Sequence, residues 1–177
     1  MSQLNVNTIG ARTGTEISIA SGHTLSGISV DVDQYLLPSD LSSDTDPITT
    51  FQRPTGTLQT HQGSGMTYTS GIFSFPKTGI WKVSLQGKIK ALSTGHSAYM
   101  YLWTTDDNGS NWDEVMHLRN EDESSRRTTC FGTTFLDITD ISNHKVKVSF
   151  DESTNAQLEG GSASIATGVF FERLGDT

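Results

Sequence analysis

The chain has 177 residues, with 12 Lys and Arg against 20 Asp and Glu, a formal net charge of −8 and a pI near 4.9. That length supports one domain with a real core plus an appendage, and a chain whose only basic residues before Lys77 are Arg12 and Arg53 has no face with which to neutralise phosphates, so nucleic acid is excluded as an expected partner. No apolar run approaches the roughly 20 residues of a membrane helix, the opening MSQLNVNTIG lacks a charged stretch leading into an apolar one, and the single cysteine, Cys130, rules out an internal disulfide and a cysteine metal cage.

Residues 1–30 differ from the rest. They hold no aromatic residue, and Ile9, Ile17 and Leu25 recur every eight positions with Gly10, Gly14, Gly22 and Gly27 between them. Short apolar strands punctuated by glycine cannot bury themselves alone. They do so by winding with copies of themselves or by adding to another protein's sheet edge. Residues 1–30 are therefore expected to form an extended attachment arm, with Leu4, Val6, Ile9, Ile17, Ile19 and Leu25 as its contact residues. Residues 31–177 form the globular part.

Residues 31–47 carry five aspartates and no base. Tyr35, Leu36 and Leu37 are expected to open the globular domain, and the following Asp/Ser run to form a solvated acidic surface loop. No ligand spacing for calcium repeats there.

From residue 48 onward the pattern predicts about eight strands, near 48–52, 67–75, 80–91, 97–104, 114–118, 128–137, 145–150 and 162–173. No window sustains apolar residues at helical spacing. Segment 66–89 reads as a hairpin of two antiparallel strands joined by a four-residue Pro-Lys-Thr-Gly link: Phe73 and Phe75 alternate with small or polar neighbours before it, and Trp81, Val83 and Leu85 alternate with Lys82, Ser84 and Gln86 after it. Strand 97–104 is apolar on both faces, with Ala98, Met100 and Leu102 on one and Tyr99, Tyr101 and Trp103 on the other. A strand on a sandwich exterior is normally polar on one side, so the aromatic face is a candidate subunit contact. In the run TTCFGTTFLDI, Cys130 reads as a small buried residue rather than a nucleophile.

The stretch from Thr105 to Trp112 resembles the Asp-box hairpin pattern S-x-D-x-G-x-T-W of sialidases and other β-rich proteins. Thr105 stands for Ser, Asp107, Gly109 and Trp112 match, and Asn111 departs. Asp accepts backbone N–H bonds, Gly supplies positive φ, and Trp packs against the turn. The motif occurs once and reads as a structural hairpin. The five histidines are scattered, and no phosphate loop or nucleophile elbow appears. No catalytic residue, cofactor or metal is expected.

Residues 68–85 resemble the opening strands of the tumour-necrosis-factor-like jelly roll, in the version found in the globular head of the first complement component. The matching residues are Tyr68, Gly71, Phe73, Pro76, Gly79, Trp81 and Val83. Residues 133–150 look like that family's paired strands around an acidic turn, and 163–171 is similar to its closing strand, with Gly168, Phe170 and Phe171 matching. The resemblance covers roughly residues 35–174. It implies an all-β, TNF-like jelly-roll sandwich, to which the reading of residues 1–30 adds an extended N-terminal β arm. It also implies a compact homotrimer with one sheet of each subunit facing the threefold axis, for which Tyr99, Tyr101, Trp103 and Phe170 are the interface candidates.

Residues 1–30 followed by a jelly roll resemble structural proteins of tailed bacteriophages, especially marine and cyanobacterial ones. The resemblance implies a virion protein assembled in the host cytoplasm, whose partners are itself and the major capsid protein or another virion protein. Thirty residues span about 100 Å at most, at roughly 3.3 Å each, a stub rather than a long shaft. A capsid decoration protein or short head fibre is therefore expected. The alternative is a tail-fibre tip that binds host surface glycan through loops 92–97, 105–113 and 119–127, with Trp112 as a stacking platform.

Overall fold

The computed structural model describes residues 30–56, 61–94, 97–120, 126–152, 155–162 and 164–177. The arm candidates Leu4, Val6, Ile9, Ile17, Ile19 and Leu25 lie outside the described residues. Ten strands run in chain order: β1 (Val32–Leu36), β2 (Thr67–Thr69), β3 (Ile72–Ser74), β4 (Gly79–Ala91), β5 (Ala98–Thr105), β6 (Asp113–Asn120), β7 (Arg127–Ile138), β8 (Lys145–Glu152), β9 (Ala156–Leu158) and β10 (Gly168–Gly175). One sheet, A, has the order β1-β10-β4-β7, with β9 pairing to β4; the other, B, has the order β2-β3-β8-β5-β6. The named strand pairs are antiparallel.

Alternation decides which side chains fill the space between the sheets. Trp81, Val83, Leu85 and Ile89 of β4 point inward from sheet A, as do Val169 and Phe171 of β10. Phe73 of β3, Met100 and Leu102 of β5, and Val146, Val148 and Phe150 of β8 meet them from sheet B. Each such side chain contributes roughly 1.5–3 kcal/mol when fully buried.

Three expectations are corrected. The strands flanking the Pro-Lys-Thr-Gly link do not pair: β3 lies in sheet B and β4 in sheet A, so the link crosses the sandwich. Gly79 turns it at φ +130°, where a Cβ would lie 2.2 Å from the Gly175 carbonyl oxygen. The run 67–75 is two short strands, because Ser70 and Gly71 take φ of +51° and +86° and reverse the chain. Segment 48–52 is no strand of either sheet. The N–H of Ile48 donates to Val148 of sheet B and the N–H of Gln52 to Leu36 of sheet A, so the segment spans from one sheet to the other. Ile48 and Phe51 anchor it in the core.

The acidic run also divides. Asp31 and Asp33 are buried rather than solvated. Asp33 takes the Arg53 guanidinium at 2.7–3.2 Å through Nε and Nη2, and accepts the Met66 N–H at 2.7 Å. Asp31 takes Lys77 Nζ at 2.9 Å and the Ser64 N–H at 2.9 Å. These two carboxylates fasten β1 to the segments before β2 and after β3. Asp40, Asp44 and Asp46 are the solvent-facing ones. They accept the N–H groups of Gly160 and Glu152 and the ammonium of Lys147, respectively.

The Asp33 side chain is 1% exposed while the Lys82–Glu172 pair on the outside of sheet A is 39% and 47% exposed. Arg53→Met is therefore expected to lower stability by about 3 kcal/mol, against under about 1 kcal/mol for Lys82→Met. Urea denaturation midpoints of the two variants measure this, and equal small shifts would show that the Asp33 clamp is not structural.

Candidate functional site

The outer face of sheet B carries the richest set of side chains. On β5, Ala98, Met100 and Leu102 enter the core, so Tyr99, Tyr101 and Trp103 stand outside. β8 places Asp151, Ser149 and Lys147 beside them in turn, and β6 places Arg119, His117 and Glu114 on the other side. The register slips between Leu102 and Trp103, which brings Glu114 rather than Val115 opposite Trp103.

The rings form a ladder. Tyr99 and Tyr101 are near-parallel with centroids 5.6 Å apart, and Tyr101 and Trp103 follow at 5.7 Å. The Trp103 indole N–H donates to Ser149 Oγ at 2.8 Å, which fixes the ring over β8. The Arg119 guanidinium lies 5.2 Å from the Tyr99 ring. His117 Nδ1 and Glu114 Oε1 are 2.7 Å apart. A cavity of about 420 Å³ opens between Tyr101, Trp103, Glu114 and Asp151 and the 44–46 segment. Burial raises the Tyr101 pKa, and the charges of Asp151 and Glu114 raise it further.

The Thr105–Trp112 hairpin closes the far end of this face. Asp107 accepts the Asn111 N–H at 2.9 Å, the Asn111 amide at 2.6 Å and the Thr105 hydroxyl at 2.7 Å. Asn108 and Gly109 take φ of +61° and +93°. Trp112 packs on Gly109, where a Cβ would meet its ring at 3.4 Å. Lys147 Nζ lies 5.6 Å from the Trp103 ring and 5.1 Å from the Trp112 ring, and is salt-bridged to Asp46 at 2.8 Å. A second cavity, of about 430 Å³, lies beyond Trp112 between Asn108, Lys145, Ser74 and Thr69.

The predicted site residues do not share one surface. Tyr99, Tyr101, Trp103 and Trp112 belong to the outer face of sheet B. Phe170, on β10, is on the outside of sheet A, in a cleft of about 290 Å³ with Gln34, Lys82, Ser84 and Glu172. The described ends of the loops expected to form one glycan site also separate: Ala98 and Asn120, which follow 92–97 and open 119–127, pair at one end of β5, while Thr104 and Asp113, which bound 105–113, pair at the other. Cys130 is half-buried, its thiol pKa raised by burial and its Sγ 3.4 Å from the Arg119 carbonyl oxygen. Among the described residues, no three His, Cys, Asp or Glu side chains are grouped to hold a metal ion.

Sequence reasoning missed Phe131 and Phe135. Both stand on the outside of sheet A, 62% and 63% exposed. Their spacing of four in a strand puts them on one face, and the predicted 128–137 strand contained that signal. It also missed Lys147, whose role depends on two indoles brought together from separate strands.

No protein-family model and no curated protein matches the sequence. Solved structures do. Eiger TNF from S. frugiperda superposes with a TM-score of 0.60 at 11% identity, over 84% of this chain and 95% of that one. Murine APRIL at pH 5.0 superposes with a TM-score of 0.59 at 14% identity, over 82% of this chain and 99% of that one. The fold is a TNF-like jelly roll. At these identities the likeness fixes architecture.

The bonds from the Asn111 N–H, then from the Thr105 hydroxyl and the Asn111 amide, hold the Asp107 carboxyl down at about 2. A depressed pKa means that this hold on the hairpin is complete above the ordinary aspartate value near 4 and is lost as pH falls toward 2. Titration followed through the Asn111 amide resonance is expected to show a midpoint near 2. A midpoint near 4 would show that the turn does not depend on the carboxylate.

Proposed function

We propose that the chain is a non-enzymatic virion structural protein: a homotrimeric knob joined through the outer face of sheet A and fastened to the particle by residues 1–30. The observation that carries self-association is the pair Phe131 and Phe135, each more than 60% exposed on that face. The strand register places Phe135 beside the Lys82–Glu172 row and Thr133 beside the Ser84–Phe170 row, so the face is continuous across β7, β4 and β10.

Its centre is poor in charge. Ser84 and Thr133 hydroxyls bond each other at 2.8 Å, the Gln86 amide donates to the carbonyls of Ile165 and Ala166, and Lys82 pairs with Glu172. Uncharged groups already bonded within one subunit cost little to cover, whereas covering the Lys82–Glu172 pair carries a desolvation cost that the phenylalanines must exceed. Burying about 100 Å² of each phenylalanine contributes roughly 2–3 kcal/mol per ring. The aromatic face of sheet B is the poorer candidate for this contact, because the protein's own Arg119, Lys147 and Ser149 already engage its rings. This moves the trimer contact from Tyr99, Tyr101 and Trp103 to Phe131, Phe135 and Phe170.

The virion assignment is supported by the sequence of residues 1–30, whose glycine-spaced apolar residues need other chains to cover them. The occupant proposed for the arm is the major capsid protein, in a decoration protein or short head fibre. Three arms on one knob multiply weak single-arm binding through effective concentration.

Native mass measurement of the full chain is expected to give three copies. The double variant Phe131→Ser, Phe135→Ser is expected to give a monomer with an unchanged β-sheet circular dichroism spectrum. A wild-type chain that stays monomeric at tens of micromolar would overturn the assembly. Separately, a chain lacking residues 1–30 is expected to remain a soluble trimer that no longer co-sediments with particles. Retained binding would move the anchor to the knob.

A further inference from the structure

We propose that the outer face of sheet B is a binding groove for a neutral oligosaccharide. The outward residues of β8 run Lys145, Lys147, Ser149, Asp151, and the two cavities of about 430 and 420 Å³ lie at the two ends of this row. Lys147 sits between them, with Trp112 on one side and Trp103 on the other. From Lys145 to Asp151 the row is about 20 Å long at roughly 3.3 Å per residue. That is the reach of a few sugar rings. Both volumes fall in the range of about 300–1,000 Å³ typical of ligand pockets.

The chemistry of the lining selects the occupant. Sugar rings present apolar C–H faces and hydroxyl edges. Trp103 and Trp112 offer apolar ring surface, held in place by Ser149, Gly109 and Lys147. At their edges stand acceptors for sugar hydroxyls, the carboxylates of Glu114 and Asp151 at one end. At the other end are the Asn108 amide and the Ser74 and Thr69 hydroxyls.

Rival occupants fit less well. A ligand cation is disfavoured by charge, because the Lys147 ammonium and the Arg119 guanidinium already stand beside Trp103, Trp112 and Tyr99 and would repel it. A polyanion would meet Asp44, Asp46, Glu114 and Asp151 in one cavity. The groove is complete within one subunit, so it does not depend on the trimer.

The test uses the full chain labelled with ¹⁵N. It has three tryptophans. Trp81 is buried, 1% exposed, with its indole N–H on the Lys77 carbonyl, and serves as the internal control. The probes are neutral hexasaccharides of β-1,4-linked glucose, β-1,4-linked N-acetylglucosamine and α-1,4-linked glucose, with a heparin hexasaccharide as the polyanionic comparison. At least one neutral probe is expected to shift the indole resonances of Trp103 and Trp112 and leave Trp81 unmoved. Tyr101→Ala and Trp112→Ala are expected to weaken that binding about tenfold or more. Glu114→Gln, which keeps shape, is expected to weaken it less. The proposal is overturned if no neutral probe moves either indole, if only the heparin probe does, or if both aromatic variants bind as the parent does. Native mass of the same samples reports the trimer independently, so a failed groove and a failed assembly are told apart.

Discussion

Phe73 is the residue through which the two sheets hold each other. It sits on the short strand β3 of sheet B, fully buried, and its ring meets Tyr68 at 4.3 Å, Tyr35 at 5.0 Å, Phe171 at 5.1 Å and Phe51 at 6.1 Å. Tyr35 and Phe171 belong to sheet A, and Phe51 to the segment that crosses between the sheets. Aromatic pairs in these geometries add roughly 0.5–1.5 kcal/mol each beyond the area they bury. The cluster carries a condition: two of its rings end in hydroxyls that burial would strand. The Tyr35 hydroxyl donates to the Met66 carbonyl at 3.0 Å, and the Tyr68 hydroxyl to the Ile48 carbonyl at 2.6 Å. Burial pushes both phenol pKa values up to about 12. Ile48 and Met66 are thus placed by the core's need for acceptors, and Arg53, which lies between them in the chain, stands beside Asp33 and also donates to the Met66 carbonyl.

A sandwich closed in this way has two outer faces of different character. Sheet A shows phenylalanine and polar groups that satisfy one another within the sheet. Sheet B shows aromatic rings interleaved with ammonium, guanidinium and carboxylate groups. The first pattern costs little to bury and gains from losing water. The second has desolvation costs over its whole area and gains only where a ligand's hydroxyls replace the water. The proposed self-association on sheet A and the proposed ligand contact on sheet B both rest on that difference in cost.

The sandwich was legible because β4 and β8 alternate and β5 and β7 are runs of strand-forming residues between turn signals: all four lie close to where the sequence puts them. Segment 48–52 misled because buried apolar residues in a short run look alike whether the backbone joins one sheet or bridges two. Strand β9, of three residues, is too short for a pattern to rise above its neighbours. Asp31 and Asp33 misled for a different reason. A carboxylate reads as solvated unless its cation is known, and Arg53 and Lys77 are 20 and 46 residues away. The Asp107 turn was legible, since the bonds that its carboxylate accepts come from Thr105 and Asn111, within four residues. The aromatic face of β5 was visible in the sequence, but its purpose was not. Whether an outward ring is bare or already engaged depends on Arg119, Ser149 and Lys147, which pairing alone brings alongside.

The two proposals constrain each other through geometry. If sheet A faces the threefold axis, sheet B faces outward on all three subunits, and assembly leaves the three grooves open. A single shallow groove with acceptors at its rim binds a neutral sugar weakly, because most of the gain repays displaced water. Three grooves on one rigid knob turn that weak contact into durable attachment when the sugar is presented repeatedly, as on a cell surface. The charge supports the same arrangement. A net −8 per chain opposes close packing of subunits, and the charge-poor centre of sheet A is where that repulsion is least. In the proposed assembly the carboxylates of Glu114, Asp151, Asp44 and Asp46 lie on the side away from the axis, beside the proposed groove rather than in the subunit contact.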